Sequence, residues 1–259
     1  MTKPRRLNYD YSEGYAKPIY ATGLVEQPWE NYTPSEHQIW QTLFERQEKV
    51  LQKRASPLYL KGRAQLDLNP YQIPKFEDIN QKLRPITGWQ IKGVEGLLPG
   101  QVFFQLLSQR IFPVTWWIRG AEQLDYLPEP DLFHDIYGHV PLLTDPDFAE
   151  FILLYSKAAQ QIQGNLEMEE QLNRLYWYTV EFGLMGSPQK PVISGAGILS
   201  SKTESEYATD SPQAERRPFD LQEVLHRPYR IDVFQDCYFV IDNFQTLIQI
   251  MKDYLEKLN

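Results

Sequence analysis

The chain contains four histidines, His37, His134, His139 and His226. Two of them lie five residues apart in Phe133-His134-Asp135-Ile136-Tyr137-Gly138-His139. Neutral imidazole is a common metal ligand. On a regular α-helix, side chains five apart diverge by roughly 140°. Both rings can therefore reach one ion only if the helix loosens or ends between them, and Gly138 and Pro141 give a local reason for that. A third ligand is available in Tyr178-Thr179-Val180-Glu181-Phe182. A glutamate amid such apolar neighbours is costly to bury ionised unless a cation meets it. His134, His139 and Glu181 together make a 2-His-1-carboxylate set, which occupies one face of an iron(II) ion and leaves the other positions open. Zinc accepts the same donors. With Asp135 as general base the reading would then be a zinc hydrolase, and ligand type alone leaves both open.

These residues need helices to carry them. Apolar spacing predicts helices over about 130–138, 147–163 and 167–186, with Asp145-Pro146 opening the second. Upstream, Thr33-Pro34-Ser35-Glu36 reads as a capping box with proline at the first helical position. Ile39, Trp40, Leu43, Phe44, Val50 and Leu51 continue it, and Pro57 is expected to help end the segment. A short amphipathic helix is expected over 75–84, with Phe76, Ile79 and Leu83 inward and Pro85 and Gly88 closing it. Residues 89–98 read as extended and 101–110 as a helix stopped by Pro113. The run from Val114 to Ile118 has strand composition.

Further on, 190–199 reads as extended and about 201–218 as a polar loop. Tyr229–Asp232 and Cys237–Ile241 read as strands of a small hairpin. Asp242 or Asn243 is expected to cap a last helix bearing Phe244, Leu247, Ile248, Met251 and Leu255. There is no internal repeat and no dividing linker. The expectation is one mainly α domain with small β strands (α+β) over 27–259, preceded by an irregular N-terminal extension over 1–26.

Bulk properties narrow the partners. The net charge of -8 over 259 residues argues against nucleic acid and against a polybasic membrane contact. No segment reads as a leader or a membrane span. The single cysteine, Cys237, excludes an intrachain disulfide and fits a reducing, cytoplasmic setting. It sits in an apolar run and reads as a buried small residue. Aromatic content of 14% can serve a packed core and an aromatic-lined pocket together. With no coiled-coil heptads, a monomer is the default expectation.

Several long segments resemble the pterin-dependent aromatic amino acid hydroxylases, over about residues 27–257. Pro128 to Leu143 resembles their iron-binding segment, and Tyr176 to Leu184 the segment with their third iron ligand. Gly195-Ala196-Gly197-Ile198-Leu199-Ser200-Ser201 resembles their substrate-side loop. Thr115 to Arg119 and Gly96 to Phe103 fit the same family. The likeness is greatest to short bacterial phenylalanine 4-hydroxylases. It implies iron(II) held by His134, His139 and Glu181, and a tetrahydrobiopterin-type reduced pterin as electron donor. Molecular oxygen and an aromatic amino acid are the implied substrates.

By the same resemblance, Arg119 pairs with the substrate carboxylate, as a planar guanidinium can. Trp177 and Pro130 wall the substrate ring, with Gly197 and Ser200 near the amino acid. Phe103 stacks on the pterin, and the backbone around Gly96 and Leu98 hydrogen-bonds it. Asp135 reaches the pterin through water or steadies the iron site, and Tyr176 lines the iron pocket. Trp177 and the apolar Ile231 favour L-phenylalanine, although tyrosine or tryptophan hydroxylation within the family stays open. Ser194 departs from the family, which usually has tyrosine there, and is expected to enlarge or rewet the edge of the site.

Overall fold

The computed structural model describes residues 23–258 apart from Tyr126, Pro128 and Asp232, together with two short paired strands, β1 (Tyr9–Asp10) and β2 (Lys17–Pro18). Most of the extension expected over 1–26 thus lies outside the described residues. Its end forms an edge strand, β3 (Leu24–Val25), antiparallel to β4 (Gln90–Val94).

The long helix α1 (Pro34–Leu51) begins as expected. Thr33 accepts from the Glu36 backbone, and the Glu36 carboxylate accepts from the Thr33 backbone. Each satisfies an otherwise orphaned terminal N–H. Pro57 does not end this helix. It opens another, α2 (Pro57–Gln65), whose N-cap is Ser56, because proline is pre-set for the first helical position. Helix α3 (Phe76–Thr87) runs through Pro85 and stops at Gly88, which adopts a left-handed φ of 78°. Proline there removes only the one N–H that would reach the Gln81 carbonyl a turn back.

Strand β4, helix α4 (Gly100–Ser108) and strand β5 (Ile111–Thr115) form a parallel crossover unit. The expected strand at Val114–Ile118 lies further upstream than its composition suggested, and Pro113 sits inside it. Because β5 is at the edge of the β3-β4-β5 sheet, the missing proline N–H costs no ladder bond. The metal-bearing segment follows, then α5 (Pro146–Gln161), capped by Asp145 through the Asp147 and Phe148 backbone amides.

Helix α6 (Leu166–Tyr176) ends well before 186; the chain passes through a π-turn and turns into strand β6 (Leu184–Ser187). Strand β7 (Lys190–Ile193) pairs with it, and the rest of the expected extended stretch is a short helix, α7 (Ala196–Leu199). The expected polar loop contains helix α8 (Lys202–Asp210) and strand β8 (Glu215–Pro218). After α9 (Leu221–His226), strand β9 (Cys237–Ile241) pairs in parallel with β6 and β8. The order β7-β6-β9-β8 replaces the expected hairpin, and Tyr229 to Ile231 form no strand. Helix α10 (Phe244–Leu258) packs on α5, with Asn243 accepting from the Thr246 backbone.

The core is mainly helical and strongly aromatic. Phe133 and Tyr137 stack at 4.7 Å, and α1 supports them with Trp40 at 5.6 Å and Phe44 at 5.1 Å. Tyr59 of α2 donates to the Tyr137 carbonyl at 2.8 Å. Burying an aromatic ring of this kind contributes about 1.5–3 kcal/mol. One face of the metal-bearing turn is thereby fixed, which leaves its other face to the ligands. Cys237 is fully buried, and burial pushes its thiol up to about 11.

Candidate metal centre

His134 to His139 form a π-helix, continued by a 3-10 turn over Val140–Thr144. Its bonds close from i to i+5, so a turn holds more residues than in an α-helix and residues five apart return toward one face. This is the loosening that the histidine spacing requires. A second π-helix, Trp177–Glu181, follows α6 and delivers Glu181 at its end. Gly138 allows the two regions to meet through α7. A Cβ at Gly138 would lie 2.8 Å from the Ala196 carbonyl oxygen and 3.2 Å from the Ala196 Cβ.

The three ligand candidates converge. Nε2 of His139 lies 3.1 Å from Nε2 of His134 and 3.1 Å from Oε1 of Glu181, while Nε2 of His134 lies 3.6 Å from Oε2 of Glu181. One ligand atom from each fits within 4.8 Å. The hydrogen bonding fixes which nitrogen of His134 is free. Ser200 Oγ donates to the Ala196 carbonyl at 2.9 Å, so it accepts from Nδ1–H of His134, also at 2.9 Å. The Nε2 lone pair therefore faces the centre.

The charges agree with a site for a cation. Burial pushes His134 down to about 4, so its ring is a neutral donor. Burial would also depress His139 and raise Glu181, but their mutual attraction reverses both directions. A divalent ion bound here would take over the role of the His139 proton and release it. Two imidazoles and one carboxylate, with no further protein ligand among the described residues, fit an iron(II) ion with open positions.

The residues around the ligands are locked from several elements. Asp131, 0% exposed, accepts from Nε and Nη2 of Arg119 at 2.9 Å each. It also accepts from the Arg119 backbone at 2.9 Å and the His134 backbone at 3.0 Å. Burial would lower the Arg119 pKa and raise that of Asp131, yet their pairing raises the one and lowers the other. Among the described residues, Nη1 of Arg119 makes no protein hydrogen bond. Asp135 accepts from the Thr115 backbone at 2.7 Å, which ties the end of β5 to the metal turn. Burial pushes its carboxyl up to about 7 despite that bond.

On one side of the centre, Phe112 packs on the His139 ring at 5.0 Å, and Phe103 meets Phe112 at 6.5 Å and Tyr176 at 6.1 Å. Burial, and the charge of Glu181, hold the Tyr176 phenol well above its ordinary range, so it stays neutral. Gly96 is buried and Leu98 half-buried in the loop that leads into α4. On the other side, Trp177 packs at a tilt against Phe182 at 4.6 Å and stacks with Tyr229 at 4.3 Å. Gly197 leaves room for the Phe182 ring, since a Cβ there would lie 2.8 Å from it. Pro130 is half-buried just before Asp131.

Some residues escaped the sequence. Asp131 was visible only as part of a motif, without its partner. Phe182 was noted as a neighbour, but its contact with Gly197 needs α7. Tyr229 and Gln235 lie more than fifty positions from Trp177, and nothing local signals the contact. Ser194 is buried, and its hydroxyl donates to the Gly183 carbonyl at 3.1 Å. Ile231 is 66% exposed and forms no closed wall.

Comparison with known proteins places this geometry. The family model described as biopterin-dependent aromatic amino acid hydroxylase matches residues 20–259. The chain is 48% identical over 231 residues to a phenylalanine-4-hydroxylase of Caulobacter vibrioides, covering 89% of this chain and 78% of that one. It is 49% identical over 225 residues to the Chromobacterium violaceum phenylalanine-4-hydroxylase, covering 86% of this chain and 75% of that one. The crystal structure of the C. violaceum enzyme with iron(III) and 7,8-dihydrobiopterin superposes with a TM-score of 0.85 at 46% identity, covering 91% of this chain and 86% of the other. Its iron- and phenylalanine-bound structure gives a TM-score of 0.83 at 44% identity, covering 90% and 86%. With its fold and nearly its whole length matched, the chain belongs to the biopterin-dependent aromatic amino acid hydroxylases.

Proposed function

We propose that this chain is a phenylalanine 4-monooxygenase, which converts L-phenylalanine to L-tyrosine with molecular oxygen and a tetrahydrobiopterin-type pterin. One oxygen atom enters the ring. The other would be reduced with the two electrons that a bound tetrahydropterin would supply. The observation that carries the reading is the convergence of His134, His139 and Glu181 on two π-turns, between two aromatic clusters. The relatives named as phenylalanine-4-hydroxylases at 44–49% identity support the choice of amino acid.

Iron(II), held by His134, His139 and Glu181, would supply oxygen activation. The remaining steps belong to the protein. Arg119, pre-oriented by Asp131, offers Nη1 to the substrate carboxylate, and a guanidinium already desolvated binds an anion more strongly. Trp177 and Pro130 wall the ring, and Gly197 and Ser200 lie on the amino-acid side. Phe103 offers an edge or face to the pterin ring, with backbone groups near Gly96 and Leu98 as its polar partners. Asp135 borders that side, and Tyr176 excludes water from the metal pocket. The catalytic domain is taken as 27–259, with 1–26 as an extension. A monomer without nucleic-acid or membrane partners is consistent with the charge of -8, and no helix among the described residues is long and apolar enough to cross a membrane. A cytoplasmic location is consistent with a lone buried cysteine.

The test is direct. Protein loaded with ferrous iron is given oxygen, tetrahydrobiopterin and phenylalanine, tyrosine or tryptophan separately, and products are identified by mass spectrometry. Tyrosine from phenylalanine, abolished by His139→Ala, is the expected result. Preferential hydroxylation of another amino acid would replace the substrate. No product from an iron-loaded, folded protein would overturn the activity.

A further inference from the structure

A row of three packed rings begins beside the metal-ligand candidate Glu181. Phe182 is the next residue in the chain, and its backbone N–H donates to the Trp177 carbonyl at 2.8 Å. The Trp177 indole packs against the Phe182 ring at an interplanar angle of 35°, and Tyr229 stacks on the indole at 16°. Stacking contacts fix the plane of a ring but allow it to slide and rotate within that plane. A directional contact at the indole edge is what fixes the remaining freedom. Nε1–H of Trp177 supplies one, donating to Oε1 of Gln235 at 3.0 Å.

Gln235 is itself over-determined. It is 4% exposed, in a loop where Ile231, Val233 and Phe234 face solvent. Its Nε2 donates to the Arg230 carbonyl at 2.9 Å and the Val233 carbonyl at 3.3 Å. With both amide protons directed at carbonyls, Oε1 is left as the acceptor for the indole. Its backbone N–H donates to Oε1 of Glu204 at 3.3 Å, and that same carboxylate accepts from the Tyr238 hydroxyl. The chain of contacts runs from α8 and β9 through Gln235 to Trp177, and by stacking to the ring next to Glu181. A buried amide with every polar atom committed in this way specifies one geometry.

We propose that Gln235 is a positioning residue for the aromatic substrate: by fixing the Trp177 indole edge it sets the ring stack beside the metal centre, and thereby how tightly the substrate ring is held. This inference rests on the reading of the site as an aromatic amino acid hydroxylase. Gln235 touches neither metal nor pterin partners, so its action is on substrate affinity more than on turnover.

Gln235→Met keeps the length and removes the amide, while Trp177→Phe removes the indole N–H without altering the loop. These variants and their combination form a double-mutant cycle. Each is loaded with ferrous iron and assayed with tetrahydrobiopterin and L-phenylalanine. Each single variant is expected to raise KM about tenfold and change kcat less than about threefold. The double variant should be no worse than Trp177→Phe alone. Nitrogen-15 NMR of the indole groups gives a readout independent of activity. The resonance missing in Trp177→Phe should shift and exchange faster with solvent in Gln235→Met. An unchanged KM with an unshifted indole resonance would overturn the proposal. A KM effect of Gln235→Met that persists in full on the Trp177→Phe background would also overturn it, because the residue would then act independently of Trp177. Wild-type protein that hydroxylates no aromatic amino acid would overturn the functional reading, while the NMR arm would still decide whether Gln235 fixes Trp177.

Discussion

Removal of Asp131 should be among the most damaging single changes near the metal centre. Its carboxylate accepts four hydrogen bonds, two from the Arg119 side chain and one each from the Arg119 and His134 backbones. Asp131→Ala leaves Arg119, a residue only 7% exposed, without a counter-charge. Breaking a buried pair from one side costs about 3–5 kcal/mol. At roughly 2–4 °C per kcal/mol for a chain near this size, Tm should fall by about 6–20 °C. Asp131→Asn retains one acceptor but loses the charge, and should fall between wild type and Asp131→Ala. Replacing both partners, by Arg119→Met with Asp131→Leu, should recover part of the lost stability, since no unpaired charge then remains. Thermal and urea unfolding of the purified variants, followed by circular dichroism, would measure this series. A loss below about 1 kcal/mol for Asp131→Ala, the value of an exposed pair, would refute the argument that this buried ion pair fastens the Arg119 segment to the start of the metal turn.

Three further outcomes are expected. Gly138→Ala forces a methyl to within 2.8 Å of the Ala196 carbonyl, so it should cost about 1–3 kcal/mol by overpacking and weaken metal retention, measured by metal analysis after dialysis. Chelated wild-type protein should gain about 2.7 kcal/mol of unfolding free energy when ferrous or cobaltous ion is added at a hundredfold excess over Kd, and His139→Ala should gain far less. Burial holds the Glu204 carboxyl above its ordinary value, against the opposing bonds from Tyr238 and Gln235. The native state therefore binds more protons than the unfolded chain as pH rises from about 4.3 toward the folded value, and stability must decline across that window. Glu204→Gln should remove its own share of this decline and leave the share from the raised Asp135 carboxyl, as read from urea midpoints between pH 4 and 8. An unchanged pH profile would show that Glu204 is not its source.

Much of the molecule was decided by local sequence. The capping box at Thr33 and the Asp145 cap each satisfy backbone amides within three residues, so the residues that form them can be read directly. The ligand candidates could be named from sequence too, because a histidine pair and an acid in an apolar run are metal-ligand types and the family resemblance joins them into one set. The histidine spacing even implied a loosened turn, and the π-helix over His134–His139 is that turn. The proline and glycine signals were less decisive. Pro57 opens a helix, Pro85 lies within one and Pro113 within an edge strand, because the consequence of a missing N–H depends on whether a neighbour needed it.

Only the tertiary structure decided how the ligands converge and what holds them. Strand β6 stands where helical spacing continued, because β7 and β9 satisfy its backbone from both sides. Helix α7 and the Ser200 hydroxyl fix the free nitrogen of His134 from 66 positions away. Gln235 reaches Trp177 across 58 positions, and Glu204 reaches Gln235 across 31. Periodicity reports which face of an element is apolar, and caps report where it starts. Neither carries information about which distant hydrogen-bond partner will be buried beside it. Sequence thus determined the chemistry available, and packing determined its geometry, because a metal centre needs donors within a few ångströms and only long-range contacts bring them there.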